Sequence, residues 1–578
     1  MKLEEIAKFF ALKNAHEHNG KANPGSVIGS VISEIPEIKK DMNSNLPIIK
    51  DIVKEVNSMS KKKIKEDYNK IVKSFPELVE DEDDNSKKEL KDLENVSEKG
   101  VVMRFAPSAS GPMHLGHAFT GGITSLYVKK YGGEFILRIE DTNPDNIYPK
   151  AYKMLEDDAD WIFGNVTEVI IQSERMELYY EYIEKLINLK SAYVCTCEPE
   201  TFREYVKDQK DCPCRSNSKR KNKKRWKKML DKTGYSEGDA VIRFKSDMKH
   251  KNPAMRDFPL ARICNTPHAK QGVKYRVWPL MNLSVTVDDI ESGMTHIIRA
   301  KDHQTNSKRQ KLIYDSLGLS DDFPEVYFTG RLKFEDLDLS TSKTRKLIDE
   351  GKYDGWDDVR LPTLKSLKKR GYQSETFHEL IKEFGLSNVD KVFSRESFFK
   401  TLNKVNRKII DDKTYRFTFL EDPVSINIEN IPSKNEIKIQ LHPDIENKYK
   451  TFNLREDFLL KEEVVEEIKE NKNYLYRMKD AFNFFYDGEI FKFHSFDFEE
   501  YKKSENKGGV IQFIPKHLGA KSKVIKPSED GSEKVVISGY AENKVIKFDS
   551  EMVRFEKFGF CRFVKKAHHE LIFYYTHD

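Results

Sequence analysis

The sequence predicts a multi-domain α/β protein with a helical N-terminal extension and a C-terminal region of antiparallel β-barrels, and three observations predict it. From about residue 99 to 190, short apolar runs alternate with helical segments, the pattern of a parallel sheet. Four of the six cysteines fall within residues 195–214, where an insertion interrupts that pattern. Beyond about Tyr415 the apolar period becomes two, as in half-buried antiparallel strands. At 578 residues the chain has room for about three to five domains.

Residues 1–98 read as a helical extension and linker. Ile6, Phe9, Phe10 and Leu12, then Ile49, Ile52, Val53 and Val56, recur at helical spacing. Residues 81–98 are acidic and lysine-rich with few apolar positions, which is linker composition. Residues 99–190 form the first half of the α/β domain, with strands at Val101–Phe105 and 134–140 and helices after Gly116 and from about Lys150. Residues 191–294 insert the cysteine cluster and irregular segments. Residues 295–345 return to α/β character through a strand at 295–299 and a helix at 308–317. Residues 346–414 read as a helical connector with Leu364, Leu367, Leu380 and Ile381 in its core. Within residues 415–578, the stretches 416–419, 425–428, 436–441 and 544–548 largely alternate apolar and polar residues and read as strands.

Composition narrows the function classes. Charged residues are 34% and hydrophobic ones 38%, which fits a soluble cytoplasmic protein. No apolar run approaches a membrane span, and the first residues, Met1-Lys2-Leu3-Glu4-Glu5, lack a signal-peptide core. A net charge of +5 gives no argument for nucleic acid by itself, so such an argument needs local patches. Clustered cysteines in a chain this long indicate a metal cluster in a reducing compartment, not a disulfide framework.

The most informative segment is the strand Val101–Phe105 followed by a Pro/Ser/Gly turn and His114-Leu115-Gly116-His117 at a helix start. It aims two imidazoles and free backbone N–H groups at one point, which suits a polyphosphate. Taken alone, His-x-x-His equally fits a helical metal pair or surface histidines. Residues 104–117 as a whole resemble the signature of class I aminoacyl-tRNA synthetases in its glutamyl/glutaminyl form. Leu339-Ser340-Thr341-Ser342-Lys343 resembles the second half of that signature. Ser340 replaces its first lysine, as in the archaeal and eukaryote-like glutamyl branch. Arg138-Ile139-Glu140-Asp141-Thr142-Asn143-Pro144, Gly355-Trp356-Asp357-Asp358, the N-terminal residues 11–15 and 20–24, and residues 553–563 resemble further elements of the archaeal type.

The resemblance implies a class I synthetase Rossmann-like catalytic domain, an inserted acceptor-stem-binding domain, and anticodon-reading β-barrels. It implies ATP-dependent activation of L-glutamate and transfer to the 3′ end of tRNA(Glu), with tRNA(Gln) an open second acceptor. Such chemistry needs positioning and charge stabilisation more than covalent catalysis. His114, His117 and Lys343 are then the catalytic residues. Pro107, Ser108, Gly116 and Ser342 join them at ATP, which enters with Mg2+. Arg104, Ser108, Glu140, Met281 and Arg299 hold glutamate, with Glu140 on the ammonium and Arg299 on the side-chain carboxylate, since guanidinium–carboxylate pairing is strong in a desolvated pocket. Glutaminyl relatives lack an arginine at 299. Met281, in the segment 275–289 that resembles the pocket-wall strand, stands where relatives usually carry tyrosine. A monomer is expected.

Cys195, Cys197, Cys212 and Cys214 offer four thiolates for a structural tetrahedral Zn2+, although Cys-x-Cys is tighter than the common Cys-x-x-Cys. Free thiols in a vestigial knuckle are the alternative. Residues 215–228 carry nine basic residues, no acidic ones and Trp226, either a phosphate-contacting patch or a solvated loop. Two rivals to glutamate ligation stay open: a glutaminyl-tRNA synthetase, and a catalytically silent tRNA-binding protein suggested by Ser340 and Met281.

Overall fold

Two units make up the chain, Met1–Glu89 and Leu90–Asp578. The structure, a computed structural model, describes residues 3–17, 20–35, 38, 42–74, 90–432, 436–547, 551–567 and 569–578. In the first unit lie helices α1 (Leu3–Glu17), α2 (Pro24–Glu34), α3 (Met42–Asn57) and α4 (Lys61–Ser74). The helical spacing read from the sequence is the packing: Ile6, Phe9 and Leu12 of α1 meet Ile49, Val53 and Val56 of α3 in one buried cluster. Asn57 ties the end of α3 to the residue pair before α2, accepting the Ala22 N–H at 2.6 Å and donating to the Ala22 carbonyl at 3.0 Å.

The second unit begins inside the expected linker. Residues 81–89 of that linker lie outside the described residues, but 90–98 are no free tether. Leu90 and Leu93 are buried in the catalytic core, the Leu93 N–H donates to the Tyr131 hydroxyl at 2.9 Å, and Tyr127 donates to the Lys91 carbonyl. Two leucines three apart are enough apolar area to dock a short segment that composition alone assigns to solvent.

Strands β1 (Val101–Phe105), β2 (Gly133–Ile139) and β3 (Glu168–Ile171) pair in parallel, joined by α5 (Leu115–Tyr131) and α6 (Ala151–Ile162). Helix α7 (Met176–Asn188) leads into a four-stranded antiparallel sheet, β4 (Ala192–Cys195), β5 (Val241–Phe244), β6 (Pro259–Ile263) and β7 (Val277–Pro279). Helices α8 (Pro199–Asp208) and α9 (Lys219–Leu230) lie between β4 and β5. The segment expected to be irregular is thus an ordered subdomain with its own core around Ile183, Trp226, Leu260 and Trp278.

Next come α10 (Met281–Glu291), β8 (His296–Ala300), α11 (Gln304–Leu317) and β9 (Glu325–Thr329). Strands β8 and β9 pair in parallel, and Thr295 fastens them beside β1: its N–H donates to the Val102 carbonyl at 3.0 Å and its hydroxyl accepts the Val102 N–H. Chain segments 193 residues apart therefore deliver their C-terminal ends to one crevice, where parallel α/β sheets bind ligands. The expected pocket-wall strand over 275–289 is corrected: Val277–Pro279 is the part that forms a strand, and Met281 opens helix α10. Leu283, Val285 and Val287 alternate with Ser284 and Thr286 like a strand, but the helix is buried nearly all round, so its sequence carries no helical contrast.

Strand β10 (Leu332–Phe334) precedes α12 (Thr341–Asp349). The connector supplies α13 (Leu364–Arg370), α14 (Ser374–Phe384), a short β11 (Lys391–Phe393) parallel to β10, and α15 (Arg395–Ile410). Leu364, Leu367, Leu380 and Ile381 are buried as read.

Two seven-stranded sheets dominate the C-terminal region. One starts on Tyr415–Phe417 and ends on Phe419–Glu421, so its two edge strands are joined through Thr418 alone and the sheet curls into a barrel-like form. The other runs from Lys507–Ile511 to Ile514–Pro515, again neighbours in sequence. One expected strand is corrected: Asn543–Lys547 is a 3-10 turn, and residue 548 lies outside the described residues. Lys544 and Lys547 are three apart and Val545 alone is buried, a spacing of three that suits this turn and not a strand. No helix among the described residues is long and apolar enough to cross a membrane.

Candidate active site

The histidine turn is built from backbone outward. His114 caps α5 with its own ring: Nδ1 accepts the Gly116 N–H at 3.1 Å, and the His114 N–H points at His117 Nδ1 at 3.4 Å. The two rings stack with centroids 3.8 Å apart. With both Nδ1 atoms accepting, the neutral tautomer carries its proton on Nε2, which leaves Nε2–H as the donor each ring offers. Burial holds His114 well below the usual imidazole range, with His117 adding to the effect, and pushes His117 down to about 4. Both are uncharged donors at neutral pH. A Cβ at Gly116 would lie 3.1 Å from the His114 ring, so the glycine leaves room for the cap.

Below the turn, Met113 is clamped on both sides. Its N–H donates to Asp158 Oδ2 at 2.8 Å, and its carbonyl accepts the Leu364 N–H at 3.0 Å. Burial pushes the Asp158 carboxyl up to about 7 against that hydrogen bond. Trp356, within the Gly355-Trp356-Asp357-Asp358 motif, packs under Gly111, and its carbonyl accepts the Thr363 hydroxyl.

The two separated signature halves meet here. Ser108 and Ser110 hydroxyls lie 3.2 Å apart, and Ser110 reaches Thr341 at 3.1 Å. Leu339 lies beside Gly116. Ser340, the residue replacing a lysine, caps α12 by accepting the Lys343 N–H at 3.4 Å. Ser342 and Lys343 are exposed on that first turn, and the Lys343 ammonium pairs with Asp338 at 2.8 Å. A cavity of about 190 Å³ at this junction is lined by His114, Gly116, Ala300, Arg331, Leu332 and Leu339.

Beside it lies a buried arginine cluster. Arg104, on β1, donates through Nε and Nη2 to the two oxygens of Asp289, at 3.1 and 3.3 Å. Arg138, on β2, donates through Nη1 to Asp289 at 2.5 Å and through Nη2 to Glu140 at 3.3 Å. Burial alone would raise Asp289, but Arg104 and Arg138 outweigh it and keep its carboxyl below the usual range. Its neighbour Asp288 joins the same cluster at 3.9 Å from Arg138 and is also engaged by Arg175 at 2.9 Å, Gln172 and Tyr179. Glu140 is pinned next to the signature turn: its N–H donates to the Pro107 carbonyl at 2.9 Å and its carbonyl accepts the Ala109 N–H.

Arg299, on β8, is held differently. Its Nη1 donates to Gln310 Oε1 at 2.8 Å and to the Ser307 hydroxyl at 3.2 Å, and no carboxylate among the described residues bonds to it. Burial and then the positive charge of Arg104 pull its guanidinium down to about 10. The structure thus sets Arg104, Glu140 and Arg299 within one electrostatic cluster, joins Glu140 to Pro107 and, through Ser110, Ser108 to Thr341 on the turn that carries Ser342 and Lys343, lines one cavity with His114 and Gly116, and places Met281 at the start of the helix carrying Asp289. Sequence reading gave no role to Arg138, Asp158, Asp289, Ser307 or Gln310. The available signal was charge inside apolar runs, as in Phe135-Ile136-Leu137-Arg138-Ile139 and Val287-Asp288-Asp289-Ile290.

In the inserted subdomain, Cys195 and Cys212 sulfurs lie 3.9 Å apart and Cys197 and Cys214 sulfurs 3.8 Å apart. A tetrahedral Zn–S4 centre with bonds of about 2.3 Å has edges of about 3.8 Å; these two distances match such edges, and the sulfurs of Cys195, Cys197 and Cys212 all lie within 4.8 Å of one another. Arg225 and the Thr196 N–H both point at the Cys214 sulfur, and hydrogen bonds from Cys195 and Cys212 hold that thiol far below its usual range. The basic run is not a loop. Lys219–Leu230 is helix α9, with Asn222, Trp226 and Met229 buried and Lys219, Arg220, Lys221, Lys223, Lys227 and Lys228 exposed.

A parallel α/β crevice that joins a stacked imidazole pair at a helix start to a lysine-bearing turn defines a class I aminoacyl-tRNA synthetase. Residues 100–412 match the family described as tRNA synthetases class I (E and Q), catalytic domain, and the chain belongs to that family. It is 43% identical to the glutamate–tRNA ligase of Methanocaldococcus jannaschii over the whole length of both chains. It is 40% identical to the glutamate–tRNA ligase of Pyrococcus abyssi and 38% identical to that of Methanothermobacter marburgensis, again over the full length of each.

Proposed function

We propose that this chain is a glutamate–tRNA ligase, and the observation that carries the choice of amino acid is Arg299, buried beside Arg104 with no carboxylate of its own among the described residues. In the first step a carboxylate oxygen of glutamate attacks the α-phosphorus of Mg2+-bound ATP and pyrophosphate leaves. In the second, a ribose hydroxyl at the tRNA 3′ end attacks the activated carbonyl and AMP leaves.

Each role follows from what the side chain can offer. The Nε2–H donors of His114 and His117 stabilise the phosphates without adding charge of their own, and Gly116, Pro107 and Ser108 let the nucleotide approach the turn closely. Lys343 leaves Asp338 and meets the charge that develops on the departing pyrophosphate, with Ser342 beside it. Arg104 keeps Nη1 for the substrate α-carboxylate while Asp289 fixes its plane. Glu140, with Ser108 near it, takes the ammonium, Met281 lines the pocket wall, and Arg299 takes the side-chain carboxylate. Cys195, Cys197, Cys212 and Cys214 would hold a structural Zn2+, which would supply rigidity by tying the end of β4 to the chain before α9. The exposed face of α9 contacts tRNA phosphates, and the two C-terminal sheets read the anticodon region. A glutaminyl enzyme would have no use for an uncompensated guanidinium at 299.

Charging assays with purified protein, ATP, and radiolabelled glutamate or glutamine, on tRNA(Glu) and tRNA(Gln) separately, test this. Glutamate transfer is the expected result, and its spread over one or both tRNAs sets the acceptor range. Glutamine transfer would overturn the role of Arg299. Tight tRNA binding without transfer would support a silent binding protein instead.

A further inference from the structure

The three arginines of the crevice are not equivalent. Arg104 and Arg138 share Asp289, and Arg138 also reaches Glu140, whereas among the described residues Arg299 is held by the neutral oxygens of Gln310 and Ser307 and by no carboxylate. Asp288 pairs with Arg175 at 2.9 Å and lies 3.9 Å from Arg138. Counted as one cluster, the four guanidinium groups of Arg104, Arg138, Arg175 and Arg299 stand against the three carboxylates of Asp288, Asp289 and Glu140, which leaves one positive charge uncompensated. Glutamate, with two carboxylates and one ammonium, carries one net negative charge, whereas glutamine carries none.

We infer that Gln310 is a specificity-determining positioning residue, whose neutrality preserves the charge of Arg299 for a substrate carboxylate. An arginine offers donors only, so the amide must turn Oε1 towards it. This orientation is fixed by chemistry, and it leaves Gln310 Nε2 with no partner among the described residues. Gln310, Ser307 and Arg299 retain only 3%, 6% and 7% of their exposure, so water screens the group weakly. A glutamate at 310 would have the same reach and accept the same hydrogen bond. It would also close an ion pair with Arg299 before substrate arrives, and the site would then match an uncharged side chain by charge. Ser307, one α11 turn earlier, repeats the logic with a hydroxyl in place of a carboxylate. The charged and titratable groups that face Arg299 are Arg104, Asp289, Glu140, Arg138 and His303, and none of them bonds to it.

The inference rests on Arg299 binding the side-chain carboxylate, and the test separates the two. ATP–pyrophosphate exchange by the full chain with tRNA(Glu) present is measured against glutamate and glutamine for the wild type, Gln310→Glu, Gln310→Leu and Arg299→Ala. Gln310→Glu should lower kcat/KM for glutamate at least 100-fold and lower the glutamate-over-glutamine preference at least tenfold, with KM for ATP and the melting temperature unchanged. Gln310→Leu keeps the charge count and loses only the acceptor. It should raise KM for glutamate several-fold and leave most of the preference. If the glutamate and leucine variants lose preference equally, or if Gln310→Glu keeps the wild-type preference, the charge argument falls. If Arg299→Ala leaves glutamate kinetics unchanged, the reading of Arg299 fails first.

Discussion

The two halves of the synthetase signature contrast in burial. The histidine half is closed: His114 and His117 stack, cap α5 and stand on a backbone clamped by Asp158 and Leu364. The lysine half is open: Lys343 stands on the first turn of α12, largely exposed, and its ammonium pairs with the exposed Asp338. The difference follows from what each half does. Groups that position ATP gain from rigidity, because their hydrogen bonds then need no rearrangement as charge develops. A cation that must meet a departing pyrophosphate has to travel, and a surface ion pair worth about 0–1 kcal/mol is a hold that can be released.

Breaking the closed half should have the largest effect. His114→Ala removes a phosphate donor and the α5 cap together. Glutamate activation should fall by about 100- to 1000-fold, and chemical unfolding should show a loss of about 0.5–2 kcal/mol. Activity lost without any loss of stability would contradict the double role of the ring.

Titration sharpens the contrast. His117 is depressed to about 4 in the folded chain against an ordinary 6.5. At this ring the unfolded chain therefore binds more protons between those values, so the His117 contribution to stability rises with pH there, opposite in sign to that of Asp158, whose carboxyl is raised to about 7. The stabilisation is complete above 6.5 and is lost as pH falls towards 4. His117→Gln should flatten that limb of a stability-against-pH curve, whereas Lys343→Gln should leave it in place. An unflattened limb for His117→Gln would show that the ring is not held neutral by burial.

The smallest effect belongs to the tether. Asp338→Asn removes the carboxylate that holds Lys343, which should change the activation rate by no more than a few-fold and stability by less than about 0.5 kcal/mol. A large loss of stability would mean that this pair fixes α12 instead of releasing it.

Much of this architecture is legible in the residues, and where legibility stops has physical causes. β1 shows in the sequence because five consecutive apolar or buried positions end at a Pro/Ser/Gly turn. The helix spacing of residues 6–12 and 49–56 is visible because one face is apolar and the other is not. α10 is hidden because a helix surrounded by protein has no polar face, and its β-branched alternation imitates a strand. Residues 90–98 resemble a tether because two buried leucines are diluted by charge. Of the site, the motif residues are legible through resemblance. Their partners are not, since Asp289 and Gln310 act through residues far away in sequence and have no local pattern. Only the fold reveals that Arg104 is paired with a carboxylate and that Arg299 is not.

Single-turnover glutamyl-adenylate formation by Lys343→Ala, followed beside its melting curve and tRNA(Glu) affinity, tests the division of labour most directly. The predicted result is a rate reduced at least 100-fold with tRNA affinity and melting temperature unchanged. An unchanged rate, or a loss explained by unfolding, would contradict a mobile lysine acting on a rigid histidine turn.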